Sequence, residues 1–316
     1  MEQYPVPELG PGDLLFRLEV AGLTAEDISP SLYQDQTPPA VPVSEVAAVG
    51  DDVTRYNALD RVLFLQPPRD PSTPSLGGLA DFIHVPAALA QQGLAVKLTP
   101  EIPAEDATLV PAAAAAVRVL REARVPAGGR LLVLGLGLVG QIVILLARHQ
   151  RVEQIFAADV SPTLRRKAEW SGATRVIQLP AESVTDAVGQ EGHGGVHAAV
   201  VLSSDPTLLP QAFSALRPSG ALILGSPFSP TVRMEVPPAH VRHHEIRLQG
   251  VQRFEDRDTR EALRAIQQGI VNGEALVSKR IAWRDLDTTT LGNDYWAHGT
   301  HVVVTGPEWD EPGLPR

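Results

Sequence analysis

A chain of 316 residues with a formal charge of −10 is long enough for about two domains and for a core that needs no disulfide or structural metal. Its 37 acidic and 27 basic side chains repel a phosphate backbone, so nucleic acid is not an expected partner. Cysteine is absent, which excludes disulfides, thiolate nucleophiles, Cys-ligated zinc and iron–sulfur clusters.

The N-terminus, MEQYPVPELGPGD, has neither a basic n-region nor an apolar h-region, so no signal peptide is expected. The most apolar stretch, Leu131 to Ala147, is broken by glycines and polar residues and is too short to span a bilayer. The expectation is a cytoplasmic α/β protein with no membrane partner.

From Asp13 to Ala87, short β-rich runs alternate with turn residues. LLFRLEVAGL, EVAAVG, RVLFLQ and ADFIHVP read as strands bounded by Gly-Pro, Asp-Asp and Pro-rich breaks. Residues 66–77, QPPRDPSTPSLG, hold too much proline for a regular element. A helix is expected to start at Pro103 and to run through an Ala-rich stretch to Arg124. Beyond it, strands are expected at Arg130–Leu134, Gln154–Asp159, Arg175–Gln178, Ala198–Leu202, Ala221–Gly225 and Ile246–Val251, with helices between most of them. That rhythm is the signature of βαβ units and a parallel sheet. A helix over Arg257–Gly269 and a mixed tail ending in GPEWDEPGLPR follow.

The most informative segment is Leu131-Leu-Val-Leu-Gly135-Leu-Gly137-Leu-Val-Gly140-Gln-Ile-Val-Ile-Leu-Leu-Ala-Arg. A GxGxxG alone is weak, but here a strand precedes it and an apolar helix follows. Gly135 permits the tight turn, Gly137 lets backbone approach a pyrophosphate, and Gly140 lets helix and strand pack closely. The N–H groups of Leu138 and Val139 then face phosphate at the positive end of the helix. Asp159 ends the next strand, 19 residues after Gly140, where a ribose-binding carboxylate is expected. A carboxylate accepts two ribose hydroxyls and repels a 2′-phosphate, which favours NAD over NADP. Arg165 and Arg166 follow the acid and leave NADP as the less favoured choice.

These blocks, together with VPELGPGDLLFRLEVAGL, AVGDDVTRYNALDRV, GGLADFIHVP, PEIPAEDATLVPAAAAAVRVL, DVSPTLRRKAEWSGA and LRPSGALILGSP, resemble the medium-chain dehydrogenase/reductase superfamily. The likeness is to the zinc-type alcohol, polyol and threonine dehydrogenase branch, and it covers nearly the whole chain. It implies a GroES-like catalytic β domain over 1–110, completed by 253–316, and a Rossmann domain with a doubly wound parallel sheet over 111–252. The dinucleotide would lie in the cleft between them. Main-chain groups at Gly225, Ser226, Gly250 and Val251, with Ser203 at the end of GGVHAAVVLSS, would complete its site. The match starts inside the block that normally follows a first strand or hairpin, so either the start is misassigned or the β domain lacks an edge strand.

The branch's zinc ligands do not carry over. The ligand two residues past the strand-end glycine, Gly22, falls at Thr24, the proton-relay residue falls at Glu26, and Asp27 is kept. Pro39-Ala40-Val41 stands where Gly-His-Glu is expected, and Val110 replaces the ligand before Pro111. A proline-rich loop at 66–77 replaces the four-cysteine lobe. Thr, Ala and Val cannot make a tetrahedral zinc site, so no zinc is expected.

The remaining candidates are less specific. Tyr33, His84 and Thr24 could polarise a carbonyl or donate a proton. His240, His243 and His244 have i, i+3, i+4 spacing, but a solvated or capping role is the simpler reading; His298 and His301 are unspecific. The resemblance thus implies a zinc-independent NAD(H)-dependent oxidoreductase. It would move hydride to or from a small carbonyl, alcohol or activated alkene. The alternative is a catalytically inactive dinucleotide-binding sensor or partner protein of the same fold. A homodimer is expected through the last Rossmann strand, 245–252, with Ile246, Leu248 and Gly250 on one face.

Overall fold

The computed structural model describes residues 8–23, 40–65, 78–191, 194–285 and 301–307. In chain order the strands are β1 (Leu14–Leu23), β2 (Val41–Val49), β3 (Arg61–Phe64), β4 (Phe82–Val85) and β5 (Ala95–Lys97). Then come β6 (Arg130–Leu134), β7 (Gln154–Asp159), β8 (Arg175–Gln178), β9 (Val196–Val201), β10 (Leu216–Leu224) and β11 (Arg247–Gly250), and finally β12 (Lys279–Ala282) and β13 (Val302–Thr305). The chain divides into two compact units, residues 1–111 with 272–316 and residues 112–271.

The first unit is a seven-stranded sheet, ordered β12-β13-β1-β2-β3-β5, with β4 also paired to β1. All pairings except β12–β13 are antiparallel. β1 is buried at eight of its ten positions because it packs on both faces. Toward its start, Leu14 and Phe16 join Val46, Tyr56, Phe64, Ile83 and Val85 in one cluster, with the Phe16 and Phe64 rings edge to face at 5.9 Å. Toward its end, Leu18, Ala21 and Leu23 join Ala40, Ile281, Val302 and Val304 in another.

The second unit is a six-stranded sheet, ordered β11-β10-β9-β6-β7-β8 and parallel throughout. Numbered within this unit the order is 6-5-4-1-2-3, the doubly wound arrangement in which strand order reverses at its first strand, here β6. Strands buried on both faces read as near-continuous apolar runs, and β6 (RLLVL) after Arg130 and β9 (VHAAVV) apart from His197 do so.

The expected helix over 103–124 is two helices, Ala104–Ala107 and Val110–Ala123. The Thr108 hydroxyl donates to the Glu105 carbonyl at 2.6 Å, and Pro111, which has no N–H, suits only the first turn of a new helix. The helix Asp256–Gln267 falls in the second unit, although the sequence assigned residues from 253 on to the first. Its Asp258 carboxylate, 1% exposed, accepts two bonds from Arg121, and its Glu255 pairs with Arg118 at 2.8 Å, both arginines lying on Val110–Ala123. The last parallel strand is also shorter than expected. Glu245 adopts a left-handed conformation (φ +52°), so the extended run begins only at Arg247 and Ile246 stands outside its alternation. Among the described residues, no helix is long and apolar enough to cross a membrane.

Candidate functional site

The loop between β6 and the helix Leu138–His149 separates the three motif glycines by role. Gly135 has φ +96°, and a Cβ on it would lie 2.7 Å from the Ser203 nitrogen. A Cβ on Gly140 would lie 2.3 Å from the Gly135 carbonyl oxygen. Both glycines are therefore required by the fold itself. Gly137 is different: it is exposed, its φ is an ordinary −62°, and a Cβ on it would meet no protein atom within 4 Å. Nothing in the protein requires its smallness. Gly137 opens a helix whose first intrahelical bond runs from the Gln141 N–H to the Gly137 carbonyl at 3.0 Å. The N–H groups of Leu138 and Val139 precede that bond and lie at the positive end of the helix dipole.

Asp159 ends β7, the neighbour of β6. One of its carboxylate oxygens accepts from the Leu136 N–H and the other from the Ser161 N–H, each at 2.8 Å. A carboxylate has about four acceptor positions, so these two bonds orient it without exhausting it. Arg165 donates to the backbone carbonyls of Asp159 and Val160 at 2.9 and 2.8 Å. Both bonds leave from Nη1, which holds the guanidinium at the end of β7, while Arg166 is exposed.

The other expected residues line the same edge of the sheet. Val251 follows β11 and donates to the Leu224 carbonyl at 2.8 Å; Gly225 follows β10 and donates to Val201 at 2.9 Å. Ser203 follows β9, against the Gly135 turn. Read across the sheet, Gly250 and Val251, Gly225 and Ser226, Ser203, the glycine loop and Asp159 form one row at the carboxyl ends of five adjacent strands. That is where open parallel sheets bind ligands, on either side of the point of strand-order reversal. Beyond Asp159 lies a cavity of about 540 Å³, lined by Val160, Leu179, Pro180, Ser183, Asp205 and Leu208 among others.

In the first unit, Ala40 and Val110 are 1% and 0% exposed and carry no donor atom that could reach a metal. Thr24, Glu26, Asp27, Tyr33 and His298 lie outside the described residues. His84 is paired with Leu15, seven residues back along β1 from Gly22, which is about 23 Å at the rise of a strand. Its Nε2 stands 2.9 Å from Asp13 Oδ2. That hydrogen bond, with the Ala87 N–H, holds the Asp13 carboxyl below its ordinary value. The same bond ties β4 to the start of β1.

His240, His243 and His244 do share one short helix, Pro238–His244, with ring centroids 4.3 Å apart for His240 and His244. His240 also packs on Phe213 at 5.4 Å, and among the described residues no group of three His, Cys, Asp or Glu side chains could hold a metal.

His301, unspecific in the sequence, occupies a defined buried position. It is 1% exposed, its Nε2 stands 2.8 Å from Thr108 Oγ1, and its ring lies so close to Gly22 that a Cβ there would approach it to 2.6 Å. Burial pushes its pKa from 6.5 down to about 4, against a smaller upward pull from the Leu23 backbone. The sequence offers only a His beside a Val-Val-Val run, three residues past His298, as a signal.

Comparison with known proteins places these features in a family. A model of the zinc-binding dehydrogenase family matches residues 139–268. An alcohol dehydrogenase from Rhizobium meliloti (strain 1021) is 31% identical over 247 residues, covering 71% of this chain and 72% of that protein. The crystal structure of 2R,3R-butanediol dehydrogenase from Bacillus subtilis superposes with a TM-score of 0.81 at 23% identity, covering 97% and 96% of the two chains. A zinc-binding dehydrogenase structure from Sinorhizobium meliloti 1021, bound to NADP, gives 0.82 at 20% identity, covering 96% and 94%.

Proposed function

The chain belongs to the zinc-binding dehydrogenase family of the medium-chain dehydrogenase/reductase superfamily, and from that premise we propose that it is a zinc-independent, NAD(H)-linked oxidoreductase. Its substrate class is a small carbonyl or alcohol, or an activated alkene. Gly137 carries this reading: of the three motif glycines it alone is small for no reason internal to the fold. A pyrophosphate fits that reason, since it needs backbone to approach closely and N–H groups to meet it.

The nicotinamide dinucleotide supplies the hydride chemistry. The N–H groups of Leu138 and Val139 would bind its phosphates. Asp159 would accept the ribose hydroxyls with the acceptor positions its two backbone bonds leave open, and the cavity beside Val160 would take the adenine. The 2′-phosphate of NADP would meet that same carboxylate, whose charge repels it; Arg165, held at the Asp159 and Val160 carbonyls through Nη1, keeps its own charge nearby and leaves NADP as the less favoured choice. The same overall fold binds NADP in the Sinorhizobium structure, so the choice rests on these side chains. Main-chain groups at Ser203, Gly225, Ser226, Gly250 and Val251 would orient the nicotinamide end.

Zinc has no place in this reading. The chain has no cysteine, and Ala40 and Val110 offer no ligand atom. A substrate oxygen would be polarised by hydrogen-bond donors instead, and we assign Thr24 and Tyr33 to that role. The loss of donors at Ala40 and Val110 also favours a second reading, a dinucleotide-binding protein without turnover. One experiment separates them. NADH and NADPH are added separately and melting shifts recorded, then turnover is assayed on a panel of aldehydes, ketones, quinones and enones. NADH binding with turnover is the expected result; binding without turnover on any class establishes the second reading, and no binding of either dinucleotide overturns both.

A further inference from the structure

Gln141 is completely buried in the apolar helix that follows the glycine loop. Packing alone does not explain it, because a buried amide costs free energy unless every polar atom is satisfied, and a methionine would fill similar space. Each of its groups is satisfied. Nε2 donates to the carbonyls of Leu136 and Leu164, both at 3.0 Å, and Oε1 accepts from the Ser171 hydroxyl at 3.0 Å. One side chain thus joins the glycine loop to both ends of the helix Pro162–Ser171, which begins just past Asp159.

The consequence lies in one peptide. Leu136 is held from two sides, its N–H by Asp159 and its carbonyl by Gln141. A trans peptide is planar, so the carbonyl of one residue and the N–H of the next point in opposite directions. Holding the Leu136 carbonyl against Gln141 therefore turns the Gly137 N–H the other way, at a glycine that is itself exposed. A rotation of that peptide would present a carbonyl dipole to an incoming anion instead. We propose that Gln141 is a positioning residue for dinucleotide binding: it locks the Leu136–Gly137 peptide so that the Gly137 N–H meets pyrophosphate. The inference rests on the dinucleotide reading of the glycine loop.

The test uses the whole protein with Gln141→Met, which keeps length and helix propensity but removes the amide. Affinities for NADH, ADP-ribose and adenosine are measured well below the melting transition. NADH and ADP-ribose, which carry the pyrophosphate, are expected to weaken together by about tenfold or more, as for loss of one charge-assisted hydrogen bond, while adenosine is unchanged. Ser171→Ala, which leaves the Nε2 clamp in place, should hold NADH within about threefold. NADH affinity unchanged in Gln141→Met, or an equal loss for adenosine, overturns the proposal. A parent protein that binds no dinucleotide overturns the underlying reading as well, so the two failures are distinct. Should Gln141→Met not fold, ¹⁵N-glycine labelling of the parent decides. The Gly137 amide, identified by its loss in Gly137→Ala, must shift on adding ADP-ribose, and an unmoved signal refutes the clamp.

Discussion

The Asp159 carboxylate accepts the Leu136 N–H at 2.8 Å, so the acid proposed to bind ribose also anchors the loop proposed to bind phosphate. Asp159→Ala should weaken NADH binding by about 1–3 kcal/mol, the cost of removing a charged hydrogen-bond partner. The same change should relax discrimination against NADPH, because the repelling charge is gone. Titration of both dinucleotides against parent and variant checks this. A parent that prefers NADPH refutes the role given to Asp159.

Gly137→Ala and Gly140→Ala should part company. At Gly140 a Cβ would lie 2.3 Å from a backbone oxygen, so the alanine variant should lose several kcal/mol of stability or fail to fold. At Gly137 the added methyl touches no protein atom, so the melting temperature should stay near that of the parent. Its NADH affinity should nonetheless fall by about tenfold or more, since the methyl occupies the approach of the pyrophosphate. Gly137→Ala binding NADH as tightly as the parent would remove the main support for the dinucleotide site.

Protein purified without a histidine tag should contain no stoichiometric zinc. Ala40 and Val110, the positions that the resemblance assigns to ligands, are buried and carry no ligand atom, and the chain has no cysteine to substitute for them. Elemental analysis that finds one firmly held zinc per chain would overturn the zinc-independent reading and direct attention to His240, His243 and His244.

The second unit was the more legible in the sequence. β6, β7 and β8 have the expected bounds because glycine, charged and proline residues punctuate apolar runs on both sides. The row of strand ends followed from the motif and the alternation of strands and helices. Side-chain pairing was not legible. Nothing in ADFIHVP shows that His84 meets Asp13, since that contact depends on β1–β4 register. Gln141 had a local signal, one amide among Ile, Val and Leu, but its partners at Leu164 and Ser171 exist only once two helices pack. The helix break at Thr108 was hidden for a similar reason. Alanine-rich composition favours helix on both sides, and the interruption comes from one hydroxyl and one proline.

His301 should make stability fall on acidification. Its ring is buried and its pKa is lowered to about 4 from 6.5, so between these values the unfolded chain binds a proton that the native chain does not. Stability attributable to this group is complete above pH 6.5 and declines as pH drops toward 4, by on the order of 3 kcal/mol in all. His301→Gln, which can still bond to Thr108, should flatten the decline. Urea denaturation at several pH values across that window measures it. Parallel curves for parent and variant would show that His301 does not titrate with folding.

The final prediction concerns assembly through β11, which has a strand neighbour on one side only among the described residues. The Val251 N–H bonds to Leu224, so residues alternating with it, Gln249 and Arg247, also turn their backbone groups toward β10. Leu248 and Gly250 then turn theirs outward. Leu248 is also 48% exposed, and the burial alternation puts it with Gly250 on the open side while Arg247 reaches inward to the Glu122 carbonyl at 2.6 Å. The Gly250 carbonyl accepts the Gln249 side-chain amide at 2.7 Å, an exposed bond that a pairing strand would replace. An edge with outward backbone groups and an exposed leucine is open to pairing, and a two-fold partner would satisfy it specifically. The helix Asp256–Gln267 is tied to Val110–Ala123 by the Asp258–Arg121 and Glu255–Arg118 pairs, and a monomer with its edge covered by that helix is the opposing outcome. We therefore expect a homodimer joined along β11. Leu248→Pro removes an outward N–H without touching the β10 ladder, so it should dissociate the dimer and leave the sheet intact. Light scattering at micromolar concentration reads the mass directly: twice 33.8 kDa for the parent and 33.8 kDa for the variant is the expected pair, and a monomeric parent refutes the interface.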